Sequence, residues 1–157
     1  MPRLPAYREQ VNDLDAILRD AVARLAGVQD DALGELRIRR FRPPKIVPIG
    51  RAWRLGSVLL SADGTMYRAG RTTRAVEPKQ FLANKSNEAA ERRELQLAAV
   101  RGGFSEGETV HFGVTRLEPE LVDGVWMIAW SGAVGAGVVP LAAWLDERVR
   151  LLEIDRA

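Results

Sequence analysis

Cysteine is absent from the 157 residues. Its absence excludes disulfide staples, zinc–thiolate centres and thiol nucleophiles. Histidine is almost as scarce, so any imidazole chemistry rests on His111 alone. Lysine occurs three times against twenty arginines. Positive charge is therefore carried by planar guanidinium groups, which present paired donors to phosphate or carboxylate. Long apolar runs are missing too. Stretches such as Val125 to Trp130 fall far short of the roughly 20 residues of a membrane-spanning helix. The opening Met1-Pro2-Arg3-Leu4-Pro5 has no signal-peptide core, and the expectation is a cytoplasmic protein with no membrane partner.

What is present reads as one folded domain over residues 1–157. The apolar share is 46% and the charged share 28%, both in the globular range. Net charge is only +2, yet it is segregated. Residues 1–36 carry a net −3, residues 37–85 a net +10, and residues 86–157 a net −5. Such asymmetry bears on partners rather than on fold.

Periodicity supplies the elements. Tyr7, Val11, Leu14, Leu18, Val22 and Leu25 recur at steps of three and four, predicting an amphipathic helix over 6–25. Glu35 to Phe41 alternates and predicts a short strand before Pro43-Pro44. Two strand-like runs within 50–74 flank Asp63-Gly64, the sequence of a two-residue hairpin turn. That register sets Leu60 opposite Tyr67, Gly56 opposite Arg71 and Trp53 opposite Arg74.

Ser86-Asn87 offers N-caps for a second helix over 87–101, ended by Gly102-Gly103. Thr109 to Val114 and Val125 to Trp130 predict strands, with Asp123-Gly124 turning into the latter. Val125 to Trp130 is apolar on both faces and is expected to be covered on both sides. A third helix starts near Pro140 with a stripe of Leu141, Trp144, Leu145, Val149 and Leu152. The expected fold is a single α+β domain in the order α-β-β-β-α-β-β-α. It has three helices and an antiparallel or mixed sheet of about five strands.

Three constellations carry candidate chemistry. The first is an Arg-rich β-hairpin as an anion-binding site: Arg51, Arg54, Arg68, Arg71 and Arg74 with Trp53. Its flanks add Arg37, Arg39, Arg40, Arg42 and Lys45, and Phe41 and Tyr67 are further stacking surfaces. Forked donors beside aromatic rings suit a nucleic acid, a phosphorylated metabolite or an acidic protein surface. The alternative is a solvated face that pairs with the acidic flanks of the same chain or of another copy.

The second constellation is Ser131 to Gly137, read as a strand-to-helix turn. Its spacing is G-x-x-G-x-G rather than the dinucleotide fingerprint G-x-G-x-x-G, so no cofactor is expected there. The third is His111 near Glu106 and Glu108, a possible general base or part of a metal site. Strand parity sets His111 on the face opposite both carboxylates, and no metal-binding spacing accompanies it.

The stretch GRAWRLGSVLLSADGTMYRAGRTTRAVEP, with ERRELQLAAVRGGFSEGETVHF after a gap, resembles a group of short actinobacterial proteins, some of them labelled glutaminase. The resemblance covers about the middle half of the chain and implies a cytosolic setting. It brings no functional residue with it. Serine-dependent glutaminases use a Ser-x-x-Lys pair, which no serine of this chain supplies. The reading that follows is a non-enzymatic protein that binds an anionic partner through the Arg-rich hairpin. The alternatives are a small amide hydrolase built on His111 with Glu106 or Glu108, and a homo-oligomer joined by complementary charge.

Overall fold

The computed structural model describes residues 7–78, 86–132 and 135–156. The opening Met1–Pro5 and Ala133–Val134 of the Gly-rich stretch lie outside the described residues, as do the side chains of Tyr7 and Val11. The elements, in chain order, are α1 (Tyr7–Leu25), β1 (Asp31–Arg37), β2 (Lys45–Leu55), β3 (Val58–Leu60), β4 (Met66–Arg68), β5 (Arg71–Arg74) and α2 (Asn87–Arg101). They continue with β6 (Thr109–Phe112), β7 (Thr115–Leu117), β8 (Glu120–Val122), β9 (Val125–Gly132), β10 (Gly135–Pro140) and α3 (Leu141–Arg156). The class is α+β, and the three helices fall where expected: α1 and α3 from their apolar stripes, α2 from its Ser86-Asn87 cap and Gly102-Gly103 stop.

The expectation of about five strands in one sheet is corrected. The described residues form ten strands, in sheets of seven and three. Four of the ten are only three residues long, too short for a period of two to register. Among the described residues no helix is long and apolar enough to cross a membrane.

The chain divides into two compact units. The first comprises Met1–Gln29, Trp53–Arg68 and Arg116–Ala157; the second comprises Asp30–Ala52 and Ala69–Thr115.

In the first unit the strand order is the end of β2, then β3, β4 and β7, with β10-β9-β8 as a separate sheet. Its core joins Leu25 of α1 and Leu141, Leu145 and Val149 of α3 to Leu55, Val58, Leu60 and Ile128 from the strands. Leu14, Leu18 and Val22, predicted as the α1 stripe, pack against this core. β9 is central in its sheet, as expected, but its two faces differ. Ile128 is buried and Trp126 and Trp130 pack on the core, whereas Val125 is 46% exposed on the other face. The predicted double cover is therefore corrected to a single one.

The hairpin register is corrected as well. Gly56-Ser57 makes the two-residue turn, pairing Leu55 with Val58 and Trp53 with Leu60. Asp63-Gly64 instead belongs to a three-residue loop, Ala62 to Gly64. Ser61 N–H donates to Thr65 O, Gly64 N–H donates to Ser61 O, and Gly64 has φ 88°. A turn closed this way, with glycine in the left-handed position, lengthens the loop by one residue. Leu59 then faces Tyr67, and Leu60 faces Met66. One residue of slip turns every side chain of the partner strand to the other face.

In the second unit the order is β5-β6-β1-β2. β1 runs parallel to β6, setting Leu33 beside His111, and antiparallel to β2. β5 pairs with β6, so Arg71 faces Phe112 and Arg74 faces Thr109, not Gly56 and Trp53. Ala98 and Ala99 of α2 pack with Ile46, Val110 and Phe112. The Ser86 hydroxyl caps that helix, accepting from Ala89 N–H at 3.2 Å. Strand β1 lies upstream of the predicted 35–41, because the apolar run Ala32–Leu33 is what the sheet buries.

The Gly-rich stretch is not a strand-to-helix turn. It forms the ends of β9 and β10, with Gly132 paired to Gly135, and the chain enters α3 only after Pro140. Glycine at 137 has a packing reason. A Cβ there would stand 3.1 Å from the Trp130 indole nitrogen.

Candidate anion-binding surface

The six residues first singled out divide between the units: Trp53, Arg54 and Arg68 in the first, Arg51, Arg71 and Arg74 in the second. Trp53 is a core residue. It is 7% exposed and its indole N–H donates to Val28 O at 2.8 Å, which leaves no ring face for stacking on a ligand. Arg54 is exposed and turns back onto Gly56 O at 3.2 Å. Arg68 is exposed at the end of β4.

The second-unit arginines are already engaged. Arg51 donates to Asp30 Oδ1 at 2.8 Å and also to Glu108 Oε1. Those two bonds, Asp30 first, raise its already high pKa further and fix it as a cation. Arg71 donates to Glu91 Oε1 at 2.8 Å and lies over the Phe112 ring, 5.4 Å from the centroid. Arg74 donates twice to Gly107 O, at 3.3 and 3.1 Å. Asp30 belongs to the acidic N-terminal third and Glu91 and Glu108 to the acidic C-terminal part. Much of the hairpin's charge is thus answered within the chain.

His111 is 1% exposed, and its Nε2 lies 2.8 Å from Asp31 Oδ2. Facing a carboxylate, Nε2 is the nitrogen that donates; Nδ1 is buried without a partner among the described residues. Asp31 was invisible as a partner because 80 residues separate the pair, and only the parallel β1–β6 ladder joins them. Glu108 does not face the imidazole. It binds Arg51 and accepts from Ser105 N–H at 3.1 Å, in a turn before β6 begins. Glu106 is exposed. Among the described residues no group of His, Asp and Glu is arranged to hold a metal ion.

The flanking cations make a different picture. Residues 37–45 read Arg-Ile-Arg-Arg-Phe-Arg-Pro-Pro-Lys, five cations with no acid. They form the connection from β1 to β2, and their geometry follows from the prolines. Pro43 and Pro44 fix φ and offer no N–H, so the chain cannot continue the ladder there. The base of the loop is tied instead by carbonyls. Pro43 O accepts from Arg39 Nε at 3.0 Å and Nη2 at 2.6 Å, and Pro44 O accepts from Arg101 Nη1 at 2.9 Å.

Beyond these ties the side chains reach into solvent. Phe41 is 88% exposed and Ile38 77%. The Arg40 guanidinium lies 5.1 Å from the centre of the Phe41 ring. Arg37 approaches Glu35 at 3.7 Å, with both side chains about 60% exposed, a contact of little strength. Arg39, Arg40, Arg42 and Lys45 pair with no carboxylate among the described residues. The arrangement offers forked donors flanking, in the chain, one exposed aromatic ring, with Arg40 lying over it. No protein-family model, no curated protein and no solved structure matches the chain.

Proposed function

We propose that the second unit binds single-stranded nucleic acid through residues 37–45, with Phe41 stacking on a base and Arg40 and Arg42 meeting phosphates on either side. The carrying observation is the exposure of Phe41 between two arginines that no carboxylate neutralises. An aromatic side chain has some 150–250 Å² to bury. Leaving that surface in water inside a stretch of net charge +5 fits a partner that is both anionic and flat-faced. A phosphorylated metabolite would call for a concave site, and these side chains are mostly exposed. The anionic partner expected from the sequence is retained, but its contact moves from the hairpin to the β1–β2 loop.

The hydrolase reading finds less support. General-base work needs an imidazole nitrogen within reach of the substrate proton, and His111 is closed off and held by Asp31.

The test is anisotropy of labelled single- and double-stranded oligonucleotides across a salt series. Single-strand affinity is expected to fall linearly on logarithmic axes, with a slope near −0.7 per phosphate contact. Phe41→Ala should weaken single-strand binding by about 1–3 kcal/mol while leaving that slope unchanged. Arg40→Ala with Arg42→Ala should flatten the slope instead. Absence of binding at low salt removes the proposal. Binding to anionic vesicles alone would reassign the loop to a lipid headgroup surface.

A further inference from the structure

The first unit contains a cleft of about 830 Å³, within the roughly 300–1,000 Å³ range of small-ligand sites. One wall is α1, another is the Ala62–Gly64 loop with Met66, and the rest comes from β7, β8 and β9. Its apolar surface is laid down by Leu18, Val22, Leu117 and Trp126, the side chains that also pack on the unit's core. The same residues that help hold the unit together thus present apolar surface to the cleft.

The rim is charged, and its charges differ in how far they are committed. Asp63 accepts from Thr65 N–H at 2.9 Å, and that bond above all holds its carboxyl below the usual range. Glu118 and Arg116 approach each other at 3.5 Å. Asp15 and Arg19 are different. Both line the cleft, both are exposed, and neither makes a hydrogen bond or ion pair among the described residues. They stand four residues apart on α1, a spacing that puts their Cβ atoms roughly 5–6 Å from each other on one helix face. An acceptor-only group and a forked donor thus sit side by side above an apolar floor.

We infer that this cleft binds a small zwitterion with an apolar body, the chemistry of a free apolar amino acid or dipeptide. Its ammonium meets Asp15, its carboxylate meets Arg19, and its side chain lies on Leu18, Leu117 and Trp126. A guanidinium receives a carboxylate through two parallel bonds, which fixes the carboxylate end of the ligand. The apolar floor selects for aromatic or branched side chains and against small polar ones. The inference concerns the first unit alone and stands independently of the nucleic-acid reading.

The experiment is titration by heteronuclear NMR and calorimetry with three probes: the dipeptide Leu-Phe, its N-acetyl form and its C-terminal amide. Leu-Phe is expected to shift resonances of residues 14–22, 62–66 and Trp126. Arg19→Ala should weaken Leu-Phe and the N-acetyl form by about tenfold and leave the amide unchanged. Asp15→Ala should weaken Leu-Phe and the amide and leave the N-acetyl form unchanged. Ala62→Trp, at an exposed loop position lining the opening, should block all three. All three substitutions fall on exposed side chains, so far-UV circular dichroism should stay as in the parent. Shifts absent at millimolar probe would overturn the site. Equal binding of all three probes, insensitive to Arg19 and Asp15, would overturn the assignment of the two head groups.

Discussion

Arg24 shows how far one side chain can tie elements together. Its Nε and Nη2 donate to Glu153 at 3.0 and 3.1 Å, and its Nη1 donates to Asp146 at 2.8 Å, linking α1 to α3. The guanidinium holds both carboxyls below their ordinary range, chiefly through those hydrogen bonds. A depressed carboxyl stabilises the fold above its unfolded value, about 3.9–4.3. That contribution is lost as pH falls through the lower, folded values. Arg24→Met should therefore lower the denaturant midpoint at neutral pH, with the gap to the parent protein closing in acid. A gap equally wide near pH 2 would show that Arg24 acts by packing instead. Gly102 illustrates a constraint of another kind. A Cβ there would fall 1.8 Å from Ile46 O, so the end of α2 approaches β2 in a way only glycine permits.

At the level of elements, local chemistry is decisive where it has no competitor. Asp123-Gly124 was read as a turn, and both residues take positive φ, 49° and 79°, between Val122 and its partner Val125. Asp63-Gly64 carries the same dipeptide, yet Gly56-Ser57 takes the two-residue turn upstream and the register shifts. The α2 cap was equally legible. Ser86→Ala is expected to cost about 1 kcal/mol, while Ser86→Asp should retain the cap, both measured by urea unfolding. Equal losses from the two substitutions would mean that the hydroxyl makes its contribution elsewhere. The β1–β2 loop was anticipated only in part: its charge and Phe41 as a stacking surface were visible, but the place where β1 ends was not. Phe41 reads in sequence as a strand position, but Pro43 and Pro44 cannot continue the ladder, and their carbonyls tie the base of the loop.

For the molecule as a whole, charge segregation along the chain becomes charge segregation in space only in part. The +10 middle and its acidic flanks meet inside the second unit, at Arg51 with Asp30 and Glu108 and at Arg71 with Glu91. With those charges answered internally, the mass in solution is expected to stay constant from low to high salt. An assembly that dissociates as salt rises would instead support the homo-oligomer joined by complementary charge, since exposed pairs between copies are screened.

By itself the sequence determined the three helices, the α+β class, the Asp123-Gly124 turn and the basic character of residues 37–45. Each of these depends on residues within a few positions of one another. Tertiary structure decided which strands pair, which arginines are consumed by carboxylates, that Trp53 is core, and that Asp31 holds His111. Outside the local hairpins, these depend on residues from 20 positions apart, as in Arg71–Glu91, to 80 apart, as in Asp31–His111. No local pattern encodes such contacts, because their geometry exists only once the sheet has set its register.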